Sequence, residues 1–296
     1  MDQIKLLAHA KVNLTLDVVG RRNDGYHLLE SVMQSISLAD QITLSKRQGG
    51  ISLQVKGAKN LSADETNTAW RAAAAFFARR GIEPGVCIEL EKKIPIAAGL
   101  GGGSSNAAAV LTGLNSLYGG GLSLGELQKI GLTIGADVPF CLQGGTAAAA
   151  GIGEKLTPIK PLPPVTFALV NIPKEVSTAG VFQKFPPAAF GSEHTRNFIK
   201  LQNDAKSVSQ LSRSLQNSLE IVTTTLVPEI EVWKRRLISG GAEAAFMSGS
   251  GPTVLGLFSE RETAARFRSK WEGRVKVILA EPETTGVKYK NGVNLP

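Results

Sequence analysis

The segment PIAAGLGGGSSNAAAVL, Pro95 to Leu111, decides how the rest of the chain is read. It carries glycine at 99, 101, 102 and 103, then Ser104 and Ser105, then a small apolar run compatible with a helix. Glycine permits positive φ and a close approach of backbone to a ligand. A helix starting directly behind such a loop turns unpaired N–H groups and a partial positive charge toward it, a combination that favours a polyphosphate. A turn or a linker has a similar composition. The flanks argue against a linker, because Val86 to Leu90 has a strand pattern and Asn106 to Leu117 a helical one. No Walker lysine follows the glycines, and Ser104 stands where the last glycine of a dinucleotide-binding loop would fall. A phosphate held by this loop would be held by a third arrangement, neither Walker nor dinucleotide-binding.

The chain of 296 residues is long enough for one large domain or two ordinary ones. Its content of 43% hydrophobic and 20% charged residues is that of a globular protein, neither disordered nor fibrous. Basic residues number 33 against 25 acidic, a formal charge of +8 that permits an anionic partner. They are dispersed in short clusters, Arg21-Arg22, Arg79-Arg80, Lys92-Lys93 and Lys234-Arg235-Arg236, without interleaved aromatics. A small anionic ligand is expected, and not nucleic acid. Cys87 and Cys141 lie in apolar contexts and read as free, buried thiols. The three histidines lack metal-ligand spacing. The start, Met1 to Lys5, has no basic lead into a long apolar stretch, and no apolar run of about 18 residues occurs. No membrane partner and a cytoplasmic location are expected.

Ile4 to Val19 reads as strand, and Lys11 and Asn13 share a face at period two if the strand is regular there. A lysine reaching out from an edge strand is the alternative. Asn23-Asp24-Gly25 is a turn signal with Tyr26-His27 just beyond it. That pair can clamp a planar base by stacking and hydrogen bonding, and a core tyrosine beside a surface histidine would look the same. Met33 to Lys46 and Gly49 to Gly57 continue the strand pattern, and Asp64 to Arg80 predicts a helix with an acidic opening and Gly81 as its stop. After the loop helix, a second helix is expected from Ser123 to Gly131.

Asp137 stands between Ala136 and Val138-Pro139-Phe140. A carboxylate in such a segment needs a hydrogen bond or a cation, or it caps a helix. Lys11 is the distant cation that makes a catalytic reading coherent. The three prolines of Ile159 to Val165 mark a boundary between units 1–158 and 159–296. Beyond it, a strand is expected from Val165 to Ile172, and no periodicity is evident in Glu193 to Leu201. Helices are expected over Asp204 to Thr225 and Glu229 to Ser239. Ala242 to Phe258 reads as a hairpin whose turn accounts for Gly249 and Gly251. An amphipathic helix in Glu260 to Gly273 and a closing strand, Arg274 to Ala280, complete the pattern.

Three separated segments, Lys11-Val12-Asn13-Leu14, Pro95 to Ala107 and Ser248 to Pro252, together resemble the GHMP kinase superfamily. The opening AKVNLTLDVVGRRNDGYHLLESVMQSISLAD and the segment GADVPFCLQGGTAAAAGIGE narrow the likeness. They are similar to the branch that phosphorylates the 2-hydroxyl of a cytidine-diphosphate-linked methylerythritol in the non-mevalonate isoprenoid pathway. The resemblance runs from about Lys5 to about Val277. It implies an α+β, two-domain GHMP kinase fold, with a ribosomal-protein-S5-like N-terminal domain and a ferredoxin-like C-terminal domain. ATP would be the co-substrate, Mg2+ would accompany it, and the small-molecule partner would carry a cytidine diphosphate group.

The resemblance also implies roles. Asp137 matches the aspartate that takes or orients the acceptor proton, and Lys11 the lysine beside it that offsets charge on the transferred group. Asn13 matches a residue near the methylerythritol hydroxyls. Tyr26 and His27 match the pair that holds cytosine, Tyr26 by stacking and His27 by hydrogen bonding. Thr178 and Phe182 match residues that close over the cytidine, Phe182 from the opposite ring face. Asn67 and Lys93 match positions lining the adenine site. Pro95, Ile96, Ala97, Ala98, Gly99, Leu100, Gly101, Gly102, Gly103, Ser104 and Ser105 would wrap the phosphates, with Ser105 as the hydroxyl available to a metal. Two departures stand out: Ala97-Ala98 where relatives are richer in glycine, and Gly180 where a longer side chain is common. Another kinase of the superfamily, a non-catalytic nucleotide-binding regulator and an RNA-binding protein are the alternatives.

Overall fold

The computed structural model describes residues 2–58 and 60–290. Apolar residues alternating over a long opening segment give two long antiparallel strands, β1 (Gln3–Arg21) and β2 (His27–Lys46). They are joined through the Asn23-Asp24-Gly25 turn, where Gly25 takes φ +91°. β1 runs through all three apolar clusters, with Leu6 and Ala8 in one, Val12 and Leu14 in the second, and Leu16 and Val18 in the third. A strand buried on both faces places its few polar side chains in sites, because each must find a partner there.

β3 (Gly50–Lys56) lies parallel to β4 (Gly85–Glu91), connected by helix α1 (Thr68–Arg80). α1 begins four residues after the expected Asp64, since the side chain of Asn67 accepts from the Ala69 N–H and so fixes the start. Asp64 instead holds a turn through Thr66. α2 (Gly102–Leu117) starts inside the glycine run, four residues before the expected Asn106. α3 (Leu124–Leu132) follows a Ser123–Glu126 capping box. Then come α4 (Val138–Gln143), β5 (Thr146–Gly151) and β6 (Lys155–Pro158).

The proline segment leads into β7 (Thr166–Asn171), α5 (Thr178–Lys184), α6 (His194–Gln202), α7 (Glu220–Leu226), α8 (Glu229–Ser239), β8 (Ala244–Met247), β9 (Val254–Phe258), α9 (Arg261–Lys270) and β10 (Lys276–Ala280). The order β10-β7-β9-β8, all antiparallel, is ferredoxin-like. Ile230, Trp233 and Leu237 of α8 and Phe267 of α9 pack on its strands. Two expectations fail here. Residues 194–202 are helical although only Phe198 among their large apolar side chains is fully buried, too sparse a stripe to show as periodicity. The single helix expected over Asp204 to Thr225 is a 3-10 segment, Val208–Ser214, then α7, with buried Asn217 between them.

Residues 282–289, placed in the second unit by the sequence, return to the first sheet. β11 (Pro282–Glu283) pairs with β2, and β12 (Val287–Tyr289) with β1. The first sheet runs β12-β1-β2-β4-β3, with β5 and β11 also on β2. The second apolar cluster joins Ala10, Val12 and Leu14 of β1 to Phe167 and Leu169 of β7, so the two sheets share a core. Among the described residues no helix is long and apolar enough to cross a membrane.

Candidate active site

The glycine loop closes one side of a cleft of about 1010 Å³, lined by every residue from Pro95 to Ser104. Its backbone is contorted. Ala97 has φ +51°, the one positive φ among the described non-glycine residues, and Gly99 and Gly101 have φ +74° and +66°. A Cβ on Gly99 would sit 2.2 Å from the carbonyl oxygen of Ser248, and one on Gly101 would sit 2.8 Å from Cγ of Lys11. These two glycines are required by close approach as well as by φ. α2 begins directly behind them, so its first N–H groups face the cleft.

Across from the loop, Lys11 extends from β1 with its side chain 6% exposed. Its ammonium lies 3.1 Å from Oδ2 of Asp137 and donates to Oδ1 of Asn13 at 2.7 Å. The sequence left Asp137 between ion pair and helix cap. It occupies the residue before α4 but makes no side-chain cap, so Lys11 is its partner. Lys11 likewise does not reach out from an edge, since β1 lies between β12 and β2 and its N–H donates to the Leu100 carbonyl. Asn13 completes the group, its amide donating to Ser31 Oγ at 2.9 Å. Behind Asp137, burial pushes the Cys141 thiol up to about 12, and that thiol contacts Ser105 Oγ at 3.4 Å.

At the far end of the cleft stand Tyr26, 60% exposed, and His27, 9% exposed. An aromatic ring so open beside a cleft is not a core tyrosine. Burial, and then the charge of Arg21, hold His27 below the ordinary imidazole value. Phe182 of α5 stacks on the His27 ring, centroids 5.3 Å apart, and lines the same cleft as Tyr26. Thr178, at the start of α5, shares a hydrogen bond with Ser250 Oγ at 2.8 Å.

Two expected binding residues stand differently from the sequence reading, and a third lines the cleft with its amide already engaged. Lys93 is turned outward to Glu91 at 3.7 Å with a half-exposed side chain, and Lys92 lines the cleft in its place. The strand period could have shown this: Val86, Ile88 and Leu90 face inward, and Lys92 continues their phase. Ser105 is fully buried and donates to the carbonyls of His9 (2.6 Å) and Gly101 (3.0 Å), so it braces the loop from behind while Ser104 faces the cleft. Asn67 lines the cleft, yet its amide is used for the α1 cap and the Ser62 carbonyl.

An anchor absent from the sequence reading lies under the loop. Asp40, fully buried, accepts the N–H groups of Lys93 and Ile94, the Asn106 amide and the Lys92 ammonium, and so ties the loop's entry to the start of α2. A carboxylate in the alternating run Ile36 to Leu44 was its only sequence signal. Ser248, read in the sequence as part of a hairpin turn and of the third family segment, donates to the Gly99 carbonyl at 3.1 Å and accepts from the Asn13 N–H at 3.3 Å.

A glycine loop at the start of α2 thus faces an ammonium–carboxylate pair, with an aromatic–histidine pair at the far end of the same cleft. Residues 67–145 match the GHMP kinases N terminal domain, and residues 196–276 match the GHMP kinases C terminal domain. The chain belongs to the GHMP kinases. It is 45% identical over 277 residues to the 4-diphosphocytidyl-2-C-methyl-D-erythritol kinase of Moorella thermoacetica, spanning 91% of this chain and 95% of that protein. It is 46% identical over 264 residues to the protein of the same name from Geobacter metallireducens, spanning 89% and 92%. A crystal structure of 4-(cytidine 5'-diphospho)-2C-methyl-D-erythritol kinase is similar at 35% identity with a TM-score of 0.81, covering 94% of this chain and 99% of that one. A homoserine kinase from Cytophaga hutchinsonii, 22% identical with a TM-score of 0.78 and 98% of each chain covered, shares the GHMP fold.

Proposed function

We infer that this GHMP kinase transfers the γ-phosphoryl group of ATP to the 2-hydroxyl of 4-diphosphocytidyl-2-C-methyl-D-erythritol. The observation that carries the reading is the Lys11–Asp137–Asn13 group, held between the phosphate cradle and the Tyr26–His27 pair in one cleft. Full-length relatives of that name, at about 45% identity, support the same acceptor.

In this reading Pro95 to Ser104 hold the ATP phosphates, with Asn67 and Lys92 nearby. The acceptor's cytosine rests on Tyr26 and His27, and Thr178 and Phe182 close from the second sheet. The acceptor oxygen attacks the γ-phosphorus, its proton passes to Asp137, and the bond to the β-phosphate oxygen breaks to release ADP. Positioning and charge stabilisation supply most of the catalysis in such transfers. The ammonium of Lys11 offsets charge on the equatorial oxygens, and Asn13 orients the erythritol hydroxyls.

Among the described residues no three His, Cys, Asp or Glu side chains gather as a metal site. That donor set fits a magnesium ion carried on ATP, which keeps several waters and takes only one or two protein oxygens. Ser104 and Asp137 both line the cleft between the loop and Lys11, and would be the oxygens offered to such an ion. When bound, the ion would neutralise charge on the phosphates.

A coupled ADP-release assay with this acceptor, and with homoserine and mevalonate as controls, tests the proposal. Turnover with the cytidyl substrate alone is expected. Turnover with homoserine or mevalonate alone would reassign the acceptor, and no ADP release with any alcohol would favour a regulator.

A further inference from the structure

The segment Asn217-Ser218-Leu219-Glu220 belongs to none of the motifs that carry the chemistry, yet its side chains hold the backbone of one of them. Asn217, 5% exposed, donates both amide hydrogens to the turn after β8, to the carbonyls of Met247 (2.9 Å) and Gly249 (2.7 Å). Its oxygen accepts the Leu219 N–H at 2.9 Å. Three residues on, Glu220 accepts the Met247 N–H at 2.7 Å. Three further on, fully buried Thr223 donates to the Ser250 carbonyl at 3.2 Å. Glu220 and Thr223, three apart, share one face of α7, and with Asn217 just ahead of the helix they grip the turn from 247 to 250 from behind.

The front of the same turn meets the cleft. Ser248 bridges the Asn13 N–H and the Gly99 carbonyl, and Ser250 meets Thr178. Gly249 has φ +56°, and a Cβ there would lie 3.1 Å from the Gly99 carbonyl oxygen.

Asn217 is in turn fixed to the strand that carries Lys11. The Leu16 N–H donates to the Gln216 carbonyl at 3.0 Å, and the Ser218 N–H to the Leu16 carbonyl at 2.8 Å. The connections close into a ring: Asn13 along β1 to Leu16, across to Asn217, through its amide to the turn, and through Ser248 back to Asn13. A ring of hydrogen-bonded backbone has one relaxed arrangement, and a break at any side chain frees the turn to shift.

We propose that Asn217 is a positioning residue of the phosphoryl transfer, holding the 247–250 turn so that Ser248 sets the Gly99 carbonyl against Asn13 and the Lys11–Asp137 pair. The role rests on the kinase reading above. Asparagine is required because the site asks for two donors and one acceptor from one short side chain. Aspartate would keep the acceptor and turn a carboxylate oxygen on two carbonyls.

The test is a cycle of Asn217→Asp, Ser248→Ala and the double variant, followed by ADP release at saturating ATP and acceptor, with circular dichroism and thermal melts alongside. A misplacement of about 1 Å at a reacting centre costs on the order of a hundredfold in rate. Asn217→Asp is expected to lower kcat about ten- to a hundredfold with KM for ATP changed only a few-fold. Ser248→Ala is expected to lower kcat about tenfold, and the double variant to be no slower than Asn217→Asp alone. A purely structural residue would lower the melting temperature and leave kcat of the folded fraction unchanged. Folded Asn217→Asp with kcat within about twofold of the parent overturns the proposal, as do losses that multiply in the double variant. Should Asn217→Asp fail to fold, Ser248→Ala decides: kcat within about twofold of the parent overturns the ring, and a tenfold loss upholds it. A parent that releases no ADP with the acceptor overturns the functional reading instead, so the two failures are distinct.

Discussion

Replacing Asp40 with asparagine puts the anchor of the glycine loop to a quantitative test. Asp40 accepts the N–H groups of Lys93 (2.7 Å) and Ile94 (2.9 Å) through one oxygen. The other takes the Asn106 amide at 2.8 Å and the Lys92 ammonium. Asparagine can keep the first oxygen. The second becomes an NH2 facing two donors, and Lys92, 5% exposed, is left as a buried cation without a counter-ion. Removing one partner of a buried pair costs about 3–5 kcal/mol. At about 2 °C per kcal/mol for a chain of this size, the melting temperature falls by roughly 6–10 °C. Lys92→Met alone strands the carboxylate and costs a similar amount. The double variant Asp40→Asn with Lys92→Met removes both charges and recovers most of the loss, because the cost lies in the unpaired ion and not in the absent pair. Calorimetry of the four proteins without nucleotide measures this directly. Asp40→Asn melting within about 2 °C of the parent, or a double variant no more stable than the worse single one, would refute the reasoning.

Other consequences concern the cleft itself. Asp137→Asn removes the proposed proton acceptor and Lys11's carboxylate partner, and kcat should fall by about 10²- to 10⁴-fold while ATP affinity stays within a few-fold; turnover near the parent value removes Asp137 from the chemistry. Gly99→Ala drives a Cβ to 2.2 Å from the Ser248 carbonyl oxygen at φ +74°, so KM for ATP should rise at least about tenfold. Gly125→Ala, with open space around it in α3, serves as the control and should be neutral, and equal behaviour of the two would contradict the packing account. Burial and Arg21 disfavour a proton on His27, so KM for the cytidyl acceptor should rise as pH falls below about 6.5. The unfolded chain takes up that proton first, so the His27 contribution to stability is present above about 6.5 and lost on acidification. His27→Gln should abolish this acid limb, and an acid limb that persists unchanged in His27→Gln would contradict the assignment.

What was legible in the sequence was local. The alternation of β1, the Glu229–Ser239 helix and the Asn23-Asp24-Gly25 turn depend on neighbours in the chain, and each appears where its pattern stood. The glycines of the loop announced a backbone feature, but not that α2 begins among them, because helix propensity disfavours glycine and only close packing against Lys11 and Thr68 explains it. Lys92 and Lys93 differ by one step of strand phase, so a position carried over by resemblance fell on the outward lysine where the phase of Val86, Ile88 and Leu90 points Lys92 inward. Ser104 and Ser105 are neighbours on α2, about 100° apart around its axis, enough to turn one to the cleft and the other into the core. The bonds from Ser248 to Gly99 and from Asp17 to Thr195 join residues 149 and 178 apart, and no local pattern encodes them.

The return of residues 282–289 to the first sheet governs the order in which the molecule can be completed. The glycine loop, Lys11 and Asp137 all lie in the first half of the chain, but β1 gains its outer neighbour only from Val287–Tyr289. Gly286 fits against the backbone of Cys141 so closely that a Cβ would lie 1.9 Å from its carbonyl oxygen. During synthesis the ribosome therefore releases the strand bearing Lys11 long before β12 can cover its edge. Until then that edge is open to pairing with another nascent chain. The finished kinase protects it with a segment made nearly three hundred residues into the polypeptide.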